Sequence, residues 1–468
     1  MDYDVLILGG GIIGCAVAYE LSKYSLNIAL IEKDYDIADD VALINSAVVY
    51  DGVECDDTLM AKLEMMGNKM FDELSSKINV PFKRQGSLII AEDEKSEDMI
   101  NKMYERALER GIKNITLLQS NEVYELEPNL SVKVSKALYS KNTGVICPYD
   151  LAIAYGEIAF DNGVNFRLEE EVVDIQKITK GFRVITNKNK FTCKMVINTT
   201  PGQNYSIDTE EKVYSEKAYK EKRNLSFFLL EKDCKVNYNN IVFTIKDSEE
   251  TLRIIPTVQG NIILALNTEK PVGYEQTLKN FNNLMGQIDE NKINAFYQWP
   301  HYKDTIIIDE SLIDKGYIKV VGKHYGQVTM TPSIAKMVCE TIVSNINCVL
   351  KKDFVEKRRE VYKFSQLSNE ERNQIIKMNR KYANIVCICK NITEGEIVDA
   401  IRRPLGARTV EGIKRRTGVT FGSCKGSECF SKIVSILARE TNKKPTDIVN
   451  DSKNSNILKS RIKEFQYE

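Results

Sequence analysis

Cys387, Cys389, Cys424 and Cys429 form a Cys-x-Cys pair and a Cys-x4-Cys pair with 34 residues between them. Thiolates paired this closely suit a metal centre, either an iron–sulfur cluster or tetrahedral zinc, the latter more usually held by Cys-x2-Cys pairs. At the opposite end of the chain, Gly9-Gly10-Gly11-Ile12-Ile13-Gly14 follows the apolar run Asp4–Leu8. This is Gly-x-Gly-x-x-Gly in the context that binds a dinucleotide: the first glycine permits a tight turn, the second lets the backbone approach a pyrophosphate, and the third lets helix and sheet pack closely. One end can therefore collect electrons and the other can pass them on, which reads as a redox enzyme.

These residues need particular elements to position them. Asp4–Leu8 suits a fully buried parallel strand, because its apolar residues do not alternate with polar ones. A helix is expected from Ile13 to Lys23, with its N-terminus facing the phosphates. A second strand, Asn27–Ile31, ends at Glu32, whose carboxylate can accept from a ribose diol. The irregular segment Asp34–Asp51 does not return directly to a third βαβ strand, and it suits FAD better than NAD. Between the cysteine pairs, Thr393 and Glu396 make a capping box, so a short helical hairpin is expected to bring the pairs together.

Composition sets the outer limits. The chain has 468 residues, 43% hydrophobic and 28% charged, enough for a large core and two or three domains. Lys plus Arg (65) balances Asp plus Glu (66), so charge gives no argument for nucleic acid or an anionic membrane surface. The N-terminal run has no positive n-region and is too short to span a membrane, so a cytoplasmic location is expected. In that compartment 11 cysteines do not form a disulfide framework.

Further segments carry a likeness to a known family: Asn45-Ser46, Ala61-Lys62-Leu63, Phe82 to Leu88, Pro148 in ICPYDLAIAYGEIAFDNGVNF, Val196 to Thr200, Pro256 to Asn261, and Gly322 with Thr329 to Ala335. In that order they resemble the FAD-dependent glycerol-3-phosphate dehydrogenase and D-amino acid oxidase superfamily. The C-terminal segments Ile385 to Cys389, Ala407 to Thr409, Gly412 to Thr417 and Cys424 to Cys429 resemble bacterioferritin-associated ferredoxin. The resemblance implies an α/β plus α+β fold: a Rossmann-like FAD-binding domain with an interleaved mixed-sheet substrate domain over 1–348. A charged helical linker follows over 349–383, then a small helical four-cysteine [2Fe-2S] module over 384–450 and a polar tail over 451–468.

By the same resemblance FAD would lie against Gly9, Gly11, Ile12, Ile13, Gly14, Glu32, Asn45 and Ser46. Val172, with Val173, would hold the adenine through backbone groups. Gly322 would end a buried strand, Tyr317–Val321, and Thr329 would open a helix whose positive end faces the flavin. The four cysteines would ligate a [2Fe-2S] cluster. The implied activity is oxidation of a small anionic alcohol or amine, with electrons passing through the cluster to a second flavoprotein subunit or a membrane-associated acceptor.

The chain departs from the family pattern in three places. Tyr50 stands where Asn-Ser-Gly-x-x-His-x-Gly has histidine, and Trp299 stands before Pro300 where an Arg-Pro motif binds phosphate. Tyr325-Gly326-Gln327-Val328-Thr329 replaces a Ser-Pro-Gly-Leu-Thr loop. An indole cannot make the forked hydrogen bonds of a guanidinium, so glycerol 3-phosphate itself is an open question. The candidate proton acceptors are His324, His301, Tyr50, Tyr325 and Lys323, and Arg253 on the expected strand Thr251–Ile255 is the candidate anion anchor. Two rival readings stand beside this one: a non-catalytic flavin and iron–sulfur electron-transfer subunit, and a zinc-stabilised NAD enzyme. The basic residues Arg402, Arg403, Arg408, Lys414, Arg415 and Arg416 suit either a solvated face or an acidic electron-transfer partner.

Overall fold

The computed structural model describes residues 1–38, 47–200, 202–203, 205–210, 222–232, 234, 237–245, 250–302 and 305–460. Asn45 and Ser46, two of the expected FAD contacts, lie outside the described residues.

The strand Tyr3–Leu8 is the middle of a parallel sheet, paired with Ile28–Ile31 on one side and Lys190–Asn198 on the other. Asn165–Arg167 and Tyr317–Val321 extend the parallel array at either end, and Ile307–Leu312 adds an antiparallel edge. Because strand side chains alternate between faces, Val5 and Ile7 join a core beneath the helices Ile12–Ser22, Pro148–Asp161 and Gln327–Asn345. Leu6 and Leu8 face the other way, into a second core covered by the hairpin Val172–Ile178 and Gly181–Thr186. Burial on both faces explains the unbroken apolar run in the sequence.

A second, eight-stranded sheet is antiparallel except where Ile241–Thr244 runs parallel to Ser87–Ala91. Its strands occur in the sequence both before Asn165–Arg167 and after Lys190–Asn198, so the two sheets interleave along the chain. Thr251–Pro256, which carries Arg253, lies inside this sheet, whereas Ile293–Tyr302, which carries Trp299, is an outermost strand. The helix Thr58–Lys77, capped by Asp57, crosses Gln327–Asn345 very closely: a Cβ at Gly67 would stand 1.9 Å from the Thr329 carbonyl oxygen. The architecture is thus a Rossmann-like α/β domain interleaved with a mixed-sheet domain, followed by a small cysteine-bearing module.

The stretch expected to be a helical linker is helical only in its second half, at Asn369–Met378 with short turns at Phe364–Gln366 and Arg380–Ala383. Its first half is extended and strapped to the helix Pro148–Asp161. Arg358, with a side chain only 6% exposed, pairs with Asp150 and Glu157 at 2.6 Å each, and Arg359 pairs with Asp161 at 2.6 Å. An extended backbone can send adjacent arginines to separate carboxylates, and here those contacts outweigh helix propensity. The second half packs on the module through Tyr382, which lies against Gly395 and donates to Asp399 at 2.5 Å.

The module comprises the ladder Ile385–Cys387 with Ile392–Thr393 and the helices Glu394–Arg402, Val410–Thr417 and Phe430–Thr441. It has its own core, which includes Ile397, Ile413 and Ile433, yet Leu405 reaches across into the main core. Part of the expected polar tail also turns back: Asp451 pairs with Arg415 at 3.2 Å and Ile457 packs on the module. Residues 461–468 lie outside the described residues.

Candidate active site

The Gly-rich turn and Glu32 form one cradle. A Cβ at Gly14 would stand 2.0 Å from the Gly9 carbonyl oxygen, so only glycine allows the helix to begin this close to the strand. Gly11 is the N-cap of the helix that starts at Ile12 and Ile13. Glu32 Oε2 accepts from Gly10 N at 2.6 Å and Oε1 from Asp34 N at 2.9 Å, which fixes the carboxylate at the sheet's C-terminal edge, where such folds bind nucleotides. Glu170 N donates to Glu32 O at 2.9 Å, bringing the start of the strand at Val172 to the same edge. The pairing with the next strand shifts between Val172 and Asp174, which skips Val173.

At the other end of the site, Gly322 has φ +101° and ends Tyr317–Val321. Thr329, fully buried in the first turn of Gln327–Asn345, accepts from Tyr50 N through Oγ1 at 2.9 Å. Its side chain therefore ties Tyr50 to the helix, and the first-turn N–H groups of Val328 and Thr329 are those a helix leaves without intrahelical acceptors.

Four of the residues singled out in the sequence meet here. Arg253 Nη1 donates to Tyr50 Oη at 2.8 Å, and the Tyr325 ring meets Tyr50 edge-on at 4.9 Å and His324 at 4.3 Å. Arg253 is 5% exposed and lies over the Phe243 ring at 5.4 Å. Burial alone would lower its basicity, but Tyr50, Glu54 and Tyr325 raise it on balance. Lys323 lies partly buried in the preceding loop. Trp299 does not join them: it stands 40% exposed on the edge strand. The backbone of His301 pairs with Arg223, and its side chain lies outside the described residues.

Sequence reasoning misses Glu64. It is fully buried, and among the described residues neither carboxylate oxygen has a well-formed hydrogen bond, although the Gly52 backbone N–H lies beside it and His324 Nδ1 stands 3.9 Å from Oε1. Burial, with Glu54 and Asp51 nearby, holds its carboxyl well above the usual carboxylate range. The signal that could have found it is its place on the apolar stripe Met60, Glu64, Phe71 of the helix Thr58–Lys77. Glu64, Cys55 and His324 are the one trio among the described residues whose potential metal-ligand atoms all lie within 4.8 Å of one another. Gly326 N donates to His324 Nδ1 at 3.0 Å, which assigns the ring proton to Nε2, 4.0 Å from Cys55 Sγ. The ring then has no lone pair left for a cation. Burial first and Glu64 second push the Cys55 thiol up to about 12.

In the module, Cys389 lies beside Cys424 and Cys387 beside Cys429. The Cys424 backbone N–H lowers the exposed Cys389 thiol, and burial pushes Cys429 up to about 11. No three of the four sulfurs are within 4.8 Å of one another, whereas tetrahedral zinc would bring all four to roughly 3.8 Å. Two close pairs fit a two-iron cluster with two thiolates on each iron. A Cβ at Gly422 would stand 2.3 Å from Cys389 Cβ, so the loop closes over this ligand only with glycine.

Comparison with known proteins agrees with this geometry. Residues 4–341 match the family described as FAD dependent oxidoreductase, and residues 385–439 match the BFD-like [2Fe-2S] binding domain. A glycerol 3-phosphate dehydrogenase of Caloramator mitchellensis is 35% identical over 97% of this chain and 98% of its own length. An L-2-hydroxyglutarate dehydrogenase of Nematostella vectensis is 32% identical over 37% of this chain and 38% of its own. Among solved structures, an FAD-bound, dithionite-reduced L-alpha-glycerophosphate oxidase from Mycoplasma pneumoniae superposes with a TM-score of 0.68 at 22% identity, covering 77% of this chain and 99% of that one. A glycine oxidase from Geobacillus kaustophilus gives 0.64 at 20% identity, over 76% and 99%. The chain belongs to the FAD dependent oxidoreductase family, an oxidoreductase with FAD and a [2Fe-2S] cluster as its cofactors.

Proposed function

We propose that this oxidoreductase is a dehydrogenase of a small anionic alcohol or amine, with Tyr50, held by the Arg253 guanidinium, as its proton acceptor. The observation that carries the reading is the buried Arg253–Tyr50 hydrogen bond of 2.8 Å, formed at the position where the family pattern has histidine. Bound FAD supplies two-electron acceptance and the [2Fe-2S] cluster one-electron transfer.

A guanidinium N–H aimed at a phenol oxygen stabilises that oxygen's anionic form. In that form Tyr50 takes the proton that the substrate loses as its carbon is oxidised. His324, with its proton on Nε2, acts as a donor instead. Arg253 Nε is buried without a hydrogen-bond partner, and it provides the contact for a substrate carboxylate or phosphate. The end-to-end likeness to a glycerol 3-phosphate dehydrogenase supports a substrate of that size and charge. Tyr50 and the exposed Trp299 leave the phosphate compound itself as one candidate among 2-hydroxy and amino acids.

The electrons leave through the cluster to a partner protein, a second flavoprotein or a membrane-associated acceptor. Support comes from the exposure of Cys389 and of Ile388, which is 73% exposed, on one side of the cysteine cluster. No helix among the described residues is long and apolar enough to cross a membrane. A cytoplasmic setting fits this reading, since the cytosol keeps the cluster's thiols reduced.

Anaerobic titration of the purified protein with glycerol 3-phosphate and a panel of 2-hydroxy and amino acids tests the reading. Bleaching of the flavin bands by one compound is expected. Bands unmoved by every compound would leave the electron-transfer subunit as the better account.

A further inference from the structure

The basic stretch of the module already has an acidic partner, and that partner is the chain's own dinucleotide-binding domain. Arg416 forks onto Asp36, with Nη1 to Oδ2 at 2.6 Å and Nη2 to Oδ1 at 2.7 Å. Arg415 Nη2 stands 3.8 Å from the same carboxylate. Both ends of the fork are out of water: the Arg416 side chain is 5% exposed and that of Asp36 2%. A Cβ at Gly412 would lie 2.6 Å from Asp36 Oδ2, so the helix Val410–Thr417 is pressed directly onto the carboxylate. A second fork from the module, Arg403 to Glu157 at 2.9 and 3.1 Å, fixes the orientation.

Asp36 belongs to the segment that leaves Glu32, and this segment is hydrogen-bonded to the Gly-rich turn. Ala38 N donates to Gly10 O at 2.9 Å, while Gly10 N and Asp34 N both donate to the Glu32 carboxylate. Leu405, whose carbonyl accepts from Arg416 Nη2 at 2.6 Å, shares a core with Ile37 and Ala38. The fork therefore acts on the backbone that shapes the nucleotide cradle, through contacts only two residues from Ala38 and four from Glu32.

We propose that Arg416 is a positioning residue for the FAD site: the docked module holds segment 33–38 in its binding conformation, so FAD binding and module docking stabilise each other. This rests on the reading that FAD occupies the Gly-rich cradle. Without its guanidinium, Asp36 is a buried carboxylate left with its own neighbour's N–H at 2.8 Å and the more distant charges of Arg415 and Arg408. Such a group draws its segment toward water. Coupling of two binding equilibria is reciprocal, so removal of FAD must loosen the module as surely as loss of Arg416 weakens FAD.

The test uses the full chain with its cluster assembled. Arg416→Met keeps the apolar stem and removes the fork, Asp36→Asn weakens the fork from the other side, and Arg402→Met, whose partner Glu440 lies within the module, is the control. The expected result is FAD affinity lower by about 10-fold or more in Arg416→Met and Asp36→Asn, non-additively in the double variant, and within about 2-fold of wild type in Arg402→Met. The iron content and cluster spectrum stay unchanged. In the wild-type protein, stripping FAD should speed hydrogen exchange in Val410–Thr417. Unchanged FAD affinity in Arg416→Met, or exchange in that helix indifferent to FAD, would overturn the coupling. A wild-type protein that binds no FAD at all would instead count against the flavin reading on which the proposal rests.

Discussion

The nucleotide cradle and the Tyr50–Arg253 pocket are both buried and both charged, but they differ in how their polar groups are satisfied. In the cradle, Glu32 receives two backbone N–H groups and Asp36 receives a guanidinium fork. In the pocket, both Glu64 oxygens and Arg253 Nε lack a well-formed hydrogen bond among the described residues. A buried polar group left unpaired costs on the order of 1–3 kcal/mol. The carboxylates of the cradle are satisfied within the chain, although Arg416 Nε in the fork is not, while in the pocket a carboxylate is itself left for a second molecule to pair. The difference separates carboxylates already engaged in shaping the backbone around a nucleotide from a carboxylate left open in a substrate pocket.

The most disruptive change should be in the cradle. Gly14→Val puts side-chain atoms where even a Cβ would be 2.0 Å from Gly9 O, and the expected outcome is loss of FAD from the purified protein, read from its absorption spectrum. A folded variant with normal FAD content would remove the distinction between the two regions. Cys424→Ser should be next: the cluster absorption disappears, while substrate still reduces the flavin in a single turnover. Retention of the cluster spectrum would show that the ligand set differs from these four cysteines.

Glu64→Gln should have the smallest effect, and it should be stabilising. The folded-state pKa of Glu64 is raised above its ordinary 4.5. Below that value both states are protonated and burial has no ionic cost. Above it the unfolded chain releases its proton while the folded chain holds it, so stability falls with rising pH until the folded pKa is passed. The variant should therefore be more stable than wild type by about 1–3 kcal/mol near pH 8 and indistinguishable near pH 4. Thermal melts across that range decide it, and equal melting curves at pH 8 would mean that Glu64 is satisfied in solution.

The two regions are also unequally legible in the sequence. Asp4–Leu8, the glycines, Glu32 and the capping box at Thr393 are local patterns, in which each residue's role follows from its neighbours within one or two elements. The strand Tyr317–Val321 is legible for the same reason. The pocket unites Tyr50, Glu64, Arg253 and Tyr325 from a helix, a strand and two loops, and only Glu64's intrusion into an apolar stripe gives a local sign. The linker is misread because a run of arginines looks the same whether it meets water or buried carboxylates. Arg358, Arg403 and Arg416 meet carboxylates that lie far away in sequence.

In the proposed reaction Tyr50, held by Arg253, accepts the substrate's proton. Stopped-flow flavin reduction by the substrate identified in the titration, comparing wild type with Tyr50→Phe, tests it most directly. The expected rate is lower by roughly 100-fold or more in the variant, the range for loss of a general base, with FAD content and cluster spectrum unchanged. A rate equal to that of wild type would contradict it and return the search for the base to Lys323.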